Sequence, residues 1–170
     1  MPKTLVLALA VLLGVPAGAA AQTVNPPEAI VAAAADCWQV VGSAGVDTAA
    51  LEAKGWKMGT LKEQSGKAVA SPLKFYGKES SGVVVMVLPG SGACTVVSRV
   101  SGLDAYRPLM DQLQTRLKQA EPTLKAGRAG GNGAAFLGGG RIAMIEPTGT
   151  KEEPSVRYTV TVETAAKKGR

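Results

Sequence analysis

Apolar and polar positions follow two different patterns along this chain, and the stretch the rest is arranged around runs from Gly82 to Val100 (GVVVMVLPGSGACTVVSRV). Val83 to Leu88 is an unbroken, largely β-branched run, Pro89-Gly90-Ser91-Gly92 is a turn cluster, and Ala93 to Val100 returns. Branched side chains suit a pleated surface and the turn residues punctuate it, so this stretch predicts a hairpin at the centre of a sheet. Just upstream, Leu73, Phe75 and Gly77 alternate with Lys74, Tyr76 and Lys78, which predicts a strand feeding that hairpin. Trp56 to Leu61 alternates weakly and predicts an earlier strand, followed by a polar loop over 62–71. A last hairpin is predicted from Arg141–Glu146 and Ser155–Glu163, with Val156, Tyr158, Val160 and Val162 inward and Arg157, Thr159 and Thr161 outward.

The helical period appears in three places. Ile30, Ala34, Cys37 and Val41 share one face of a helix that opens at Asn25-Pro26-Pro27-Glu28 and stops at Gly42. Asn25 is the expected cap, and Glu28 the carboxylate that reaches back to it. A short helix follows, capped by Asp47, stapled by Val46 against Leu51 and ended at Gly55. Tyr106, Met110, Leu113 and Leu117 form the stripe of a long helix over Leu103–Ala120, with Asp104 as cap and Pro122 as stop. The fold class expected is α+β: a single antiparallel sheet of five to six strands, with two main helices packed on one face. The order is helix, short helix, four strands, helix, two strands. Gly127 to Gly140 (GRAGGNGAAFLGGG) matches neither a dinucleotide fingerprint nor a P-loop. It is expected to be a flexible connection around one short edge strand, Ala134–Leu137.

The first residues change where this domain is placed. Lys3, the apolar Leu5–Leu13, the breakers Gly14 and Pro16, and Ala19-Ala20-Ala21 form the three parts of a secretory leader over 1–21. The apolar centre is too short to span a bilayer, which needs about 20 residues, and no cysteine follows it closely enough for lipid attachment. The expected divisions are the leader, one domain over 22–164, and a basic flexible tail over 165–170, with a periplasmic or secreted location. The chain holds only two cysteines, and in an exported chain Cys37 and Cys94 are expected to pair. Both periodicities place them inward, on the first long helix and on the returning strand.

Composition then narrows the chemistry. The chain has no histidine, which excludes Ser-His and Cys-His catalysis and histidine metal sites. The aspartates are separated in sequence, so no calcium loop is present. No cofactor and no metal are expected. Loss of Lys3 with the leader lowers the formal net charge from +6 to +5, and the charges are scattered, so no nucleic-acid arm is expected. The candidate binding residues are Lys74, Tyr76, Lys78 and Arg99, expected together on the outer sheet face. There a tyrosine among cations suits an anionic group. The function expected is a non-enzymatic exported binding or adaptor protein whose partner is a protein or an anionic envelope component. Two alternatives stand beside it. One is an inhibitor of an extracellular or cell-wall hydrolase that presents the Pro89–Gly92 turn. The other is a carboxylate-based hydrolase using Glu79 and Glu146.

Overall fold

The computed structural model describes residues 24–60, 70–79 and 81–163. The leader over 1–21, most of the 62–71 loop and the 165–170 tail lie outside the described residues. Helix α1 (Pro27–Val40) is followed by a small hairpin, β1 (Val41–Gly42) and β2 (Gly45–Val46), and by α2 (Thr48–Ala53). Four strands come next: β3 (Lys57–Gly59), β4 (Lys74–Gly77), β5 (Val84–Leu88) and β6 (Ala93–Arg99). A 3₁₀ turn over Leu103–Ala105 leads into α3 (Tyr106–Ala120). Four more strands close the chain: β7 (Lys125–Arg128), β8 (Ala134–Gly138), β9 (Arg141–Gly149) and β10 (Pro154–Val162). The larger sheet is antiparallel, in the order β3-β4-β5-β6-β10-β9-β8-β7.

The α+β class holds, but the sheet has eight strands rather than five or six. Two corrections account for most of the difference. Lys125–Arg128 (KAGR) carries no branched or aromatic residue and gives no strand pattern, yet it pairs along β8 as the outer strand. Consequently Ala134–Gly138 is not an edge strand, since it lies between β7 and β9. At Gly138 and Gly139 the absence of a side chain serves close packing and the turn. A Cβ on Gly138 would fall 2.7 Å from Glu121 Cγ and 3.3 Å from Leu124 Cα, and Gly139 (φ +55°) turns the chain toward β9 in the left-handed region.

One sheet face is sealed by α1 and α3. Across it runs a register row of buried residues, Tyr76, Val85, Val96, Tyr158, Ile145 and Ala134. Ile30, Ala33, Ala34, Cys37 and Trp38 of α1 and Leu109, Leu113 and Leu117 of α3 complete the core. Each buried leucine contributes about 1.5–3 kcal/mol. Cys37 is bonded to Cys94, which fastens α1 to β6 as the periodicities required. Asp47 caps α2, its carboxylate accepting from Ala50 N at 2.9 Å. Asn25 does not cap α1, whose N-cap is Pro26. Its buried amide instead donates to Ser98 Oγ at 2.9 Å and accepts from Gly82 N at 2.9 Å, tying the incoming chain to the sheet. Nor does Asp104 cap α3, which starts from Ala105 after the 3₁₀ turn.

The strand order reads alike from both ends, because the chain repeats itself. Each half has a long helix and then a four-strand meander, with β1, β2 and α2 inserted between them in the first half, and the last strands of the two meanders, β6 and β10, pair at the seam. The registers allow the halves to be aligned with Met86-Val87-Leu88-Pro89 against Met144-Ile145-Glu146-Pro147, which share their Met and Pro. With that alignment, Met86 pairs with Thr95 and Met144 with Thr159, while Tyr76 and Phe136 occupy matching buried positions. Thr95 and Thr159, themselves counterparts, face each other across the seam with hydroxyls 3.0 Å apart. The strand pairing is therefore approximately two-fold about this point, although α1 alone packs closely on both seam strands.

Candidate functional site

The second face of the sheet is the candidate site. No described helix lies on it. A half-wetted antiparallel sheet normally alternates apolar-in and polar-out. Here several outward positions on β4, β5, β8 and β9 are apolar as well, while the central strand β10 keeps Ser155, Arg157, Thr159 and Thr161 outward. One register row runs Phe75, Met86, Thr95, Thr159, Met144, Ala135. A second runs Val84, Val97, Arg157, Glu146. Leu88 and the neighbours Ile142 and Leu137 extend the apolar surface. Val84, Leu88 and Met144 are 39%, 40% and 47% exposed, far more than core residues of the same types.

Three pairs of opposite charges lie on this face or at its margin. Arg157 Nε donates to Glu146 Oε1 at 2.8 Å, and Arg99 Nη1 lies 3.6 Å from Glu153 Oε1. Lys57 Nζ and Glu79 Oε1 pair at 2.5 Å at the margin. The Arg99 side chain is mostly covered, and its Nε has no hydrogen-bond partner among the described residues.

The four predicted binding residues do not form one surface. Tyr76 is buried at 2% exposure under the helices, because it stands opposite Val85 in the sealed row. Lys74 and Lys78 share its side of the strand, so both belong to the helix face. Lys78 Nζ lies 3.1 Å from Asp36 Oδ2 and 4.8 Å above the Trp56 ring. Asp36 also accepts from Trp56 Nε1 at 2.9 Å and holds Lys54 at 3.5 Å, so this cluster locks α1, α2 and β4 together. Arg99 alone is on the open face. The error has a simple physical origin: adjacent aromatics at Phe75 and Tyr76 make β4 readable in either parity, and a one-residue slip exchanges the faces. Only pairing with β5 decides it.

Glu79 and Glu146 are not brought together either. Glu79 lies in the β4–β5 connection and Glu146 on β9, with β6 and β10 between β5 and β9. Three strand spacings put about 14 Å between them, beyond the reach of a carboxylate pair. Each is paired to a cation instead. Among the described residues no group of three or more Cys, Asp or Glu could hold a metal ion.

Two phenols are perturbed. Burial, with a smaller contribution from the Glu146 carboxylate, raises the Tyr106 pKa above its ordinary value, and its hydroxyl donates to Ile145 O at 2.9 Å. Burial raises Tyr158 much further, slightly offset by Arg141.

The signal for the open face was present in the sequence. The β5 run is apolar at every position, so it has apolar residues for both faces, whereas two helices can seal only one. The repeated Met-x-x-Pro was a second sign. Comparison of the chain with protein-family models, with curated proteins and with solved structures gives no match.

Proposed function

We propose that this chain is an exported, non-enzymatic binding or adaptor protein that docks a partner protein on the open face of its sheet. The observation that carries this reading is the row Phe75–Met86–Thr95–Thr159–Met144, apolar side chains around a hydroxyl pair on a face without a described covering element. Contiguous exposed apolar surface rimmed by charge marks interaction sites. Eight strands about 4.8 Å apart give a width of about 34 Å, and strand lengths near 20 Å give a footprint of roughly 700 Å². That is close to the ~800 Å² each partner contributes to a standard protein interface. The surface is a broad sheet rather than the concave pocket that a small ligand requires. Methionines at matching positions on either side of the seam adapt to varied partner side chains. The leader-like residues 1–21 and the Cys37–Cys94 bond support an oxidising, extracytoplasmic setting.

The test is a photo-crosslinking amino acid placed at Met144 or Met86 in living cells, with Gln112 on the exposed side of α3 as control. A discrete adduct with another protein from the sheet positions and none from Gln112 supports the reading. No adduct, equal adducts from Gln112, or an adduct containing only this chain overturns it. Met144→Asp is expected to abolish the adduct formed from Met86 while leaving the melting temperature within a few degrees, because Met144 is already half exposed.

A second reading, inhibition of an extracellular hydrolase, is favoured by the bracing of the exposed Pro89–Gly92 turn. Ser91 Oγ donates to Leu88 O at 2.8 Å and accepts from Ala93 N at 3.2 Å, holding the tip in one shape. Excess protein added to a panel of cell-wall hydrolases and proteases would slow at least one of them if this reading holds.

A further inference from the structure

The approximate two-fold of the strands also shows where the halves differ, and one departure on the helix face is at Arg141. Its counterpart in the first half is Val83, 1% exposed beneath the helices. One half therefore fills this scaffold position with a buried aliphatic chain and the other with a guanidinium. Arg141 is firmly placed: Nε donates to Val41 O at 2.8 Å, and the guanidinium carbon lies 5.5 Å from the centroid of the buried Trp38 ring. These contacts occupy one edge and one face of a group that has five donors. No Asp or Glu among the described residues forms an ion pair with it; Glu121 stands across Gly139 outside ion-pair distance.

Arg141 also borders an open depression of about 510 Å³ at the C-terminal end of α1. The rest of the lining is the end of α1 and the β1–β2 hairpin, where Gly42, Ser43, Ala44 and Gly45 carry short side chains or none. Two of the other polar side chains there are already engaged, and Ser43 adds a hydroxyl to the lining. Gln39 Oε1 accepts from Lys54 Nζ, and the Asp47 carboxylate caps α2.

We propose that Arg141 makes this depression a binding site for a single carboxylate, such as the C-terminus of a peptide. A stacked, pre-positioned guanidinium binds a carboxylate through two parallel hydrogen bonds, and holding it rigid in advance removes much of the ordering cost. Asp47 and the carbonyl end of α1 also border the depression and limit the negative charge it can hold, so the planar fork of Arg141 rather than net charge is what selects a carboxylate. This site is separate from the open sheet face and does not depend on the docking proposed there.

The test is titration of the ¹⁵N-labelled mature protein at fixed ionic strength. The probes are sodium acetate, Ala-Ala-Ala with a free C-terminus, the same peptide amidated, and inorganic phosphate. Expected are saturable amide shifts at 42–45 with acetate and the free peptide, weaker ones with phosphate, and none with the amidated peptide. Arg141→Lys should weaken binding roughly tenfold by losing the planar fork. Arg141→Val, which installs the residue the first half uses, should abolish binding while the spectrum stays dispersed. Shifts that do not saturate, equal binding of the amidated peptide, or binding retained in the folded Arg141→Val variant would each overturn the proposal. The free-versus-amidated comparison on the unaltered protein decides the matter even if a variant fails to fold.

Discussion

Tyr158 places a phenol in the most enclosed part of the core, and its hydroxyl has no hydrogen-bond partner among the described residues. Burying a polar group without a partner is costly, so Tyr158→Phe should leave stability unchanged or raise it, with a melting temperature the same or up to roughly 3 °C higher. A clear loss would mean that the hydroxyl is bonded in solution. The same residue sets an alkaline limit. Its folded pKa is raised above the unfolded value, as is that of Tyr106, so the stability linked to the neutral phenols is complete below the ordinary value of 10.0. It is lost as the pH rises beyond that value toward the folded ones. Tyrosinate absorbance should show Tyr158 ionising only together with loss of the folded near-ultraviolet dichroism. At this scale the sequence was legible where one residue had one possible environment. Tyr158 reads inward because its neighbours Arg157 and Thr159 are polar, whereas Tyr76 follows another aromatic and needed β5 to orient it.

At the scale of elements, α1 and β6 are joined by the Cys37–Cys94 bond across 57 residues of chain. Closing a loop of that length limits the unfolded chain and is worth about 4 kcal/mol. Replacing both cysteines with alanine should therefore lower the melting temperature by roughly 10 °C without abolishing the fold, since the helix face remains apolar. A drop of only a degree or two would show that the unfolded chain is already compact. Asp47→Ala should cost about 1 kcal/mol through loss of the α2 cap, readable as a shifted denaturant midpoint. Both long helices, the α2 cap and the central hairpin were legible because amphipathic periods and turn chemistry are local. Strand β7 was not, because Lys-Ala-Gly-Arg has no preference of its own and becomes extended only by pairing along β8. The cap proposed for Asn25 failed for a related reason: its amide found two tertiary partners, Ser98 and the Gly82 amide, in place of a local one.

For the molecule as a whole, the two-fold arrangement makes each half the other's edge protection. Separated, β6 and β10 would each expose a full ladder of unpaired backbone groups, and α1 and α3 would lose their mutual contact. Fragments cut at the exposed Ser101, between the β6 and α3 halves, should be unfolded when made alone and should copurify as a folded pair when made together, with the disulfide wholly inside the first fragment. A half that folds alone by circular dichroism would show that the seam is not what completes the core. The open face is a property of this scale too, since two helices cover one side of a sheet in which β5 is apolar on both.

The sequence by itself determined the class, the helices, the central hairpin and the pairing of the cysteines. Each of these rests on a period or a composition that holds wherever the segment ends up. It also carried the Met-x-x-Pro repeat and the excess of apolar residues along β5, though neither gained meaning until the strands were in order. The tertiary structure alone decided that the sheet has eight strands, that β4 turns Tyr76 inward and Phe75 outward, and that Glu79 and Glu146 stand apart. It likewise set Arg141 beside a depression where its counterpart Val83 is buried. These outcomes depend on register and strand order, and both are set by contacts between residues far apart in the chain, where no local pattern reaches.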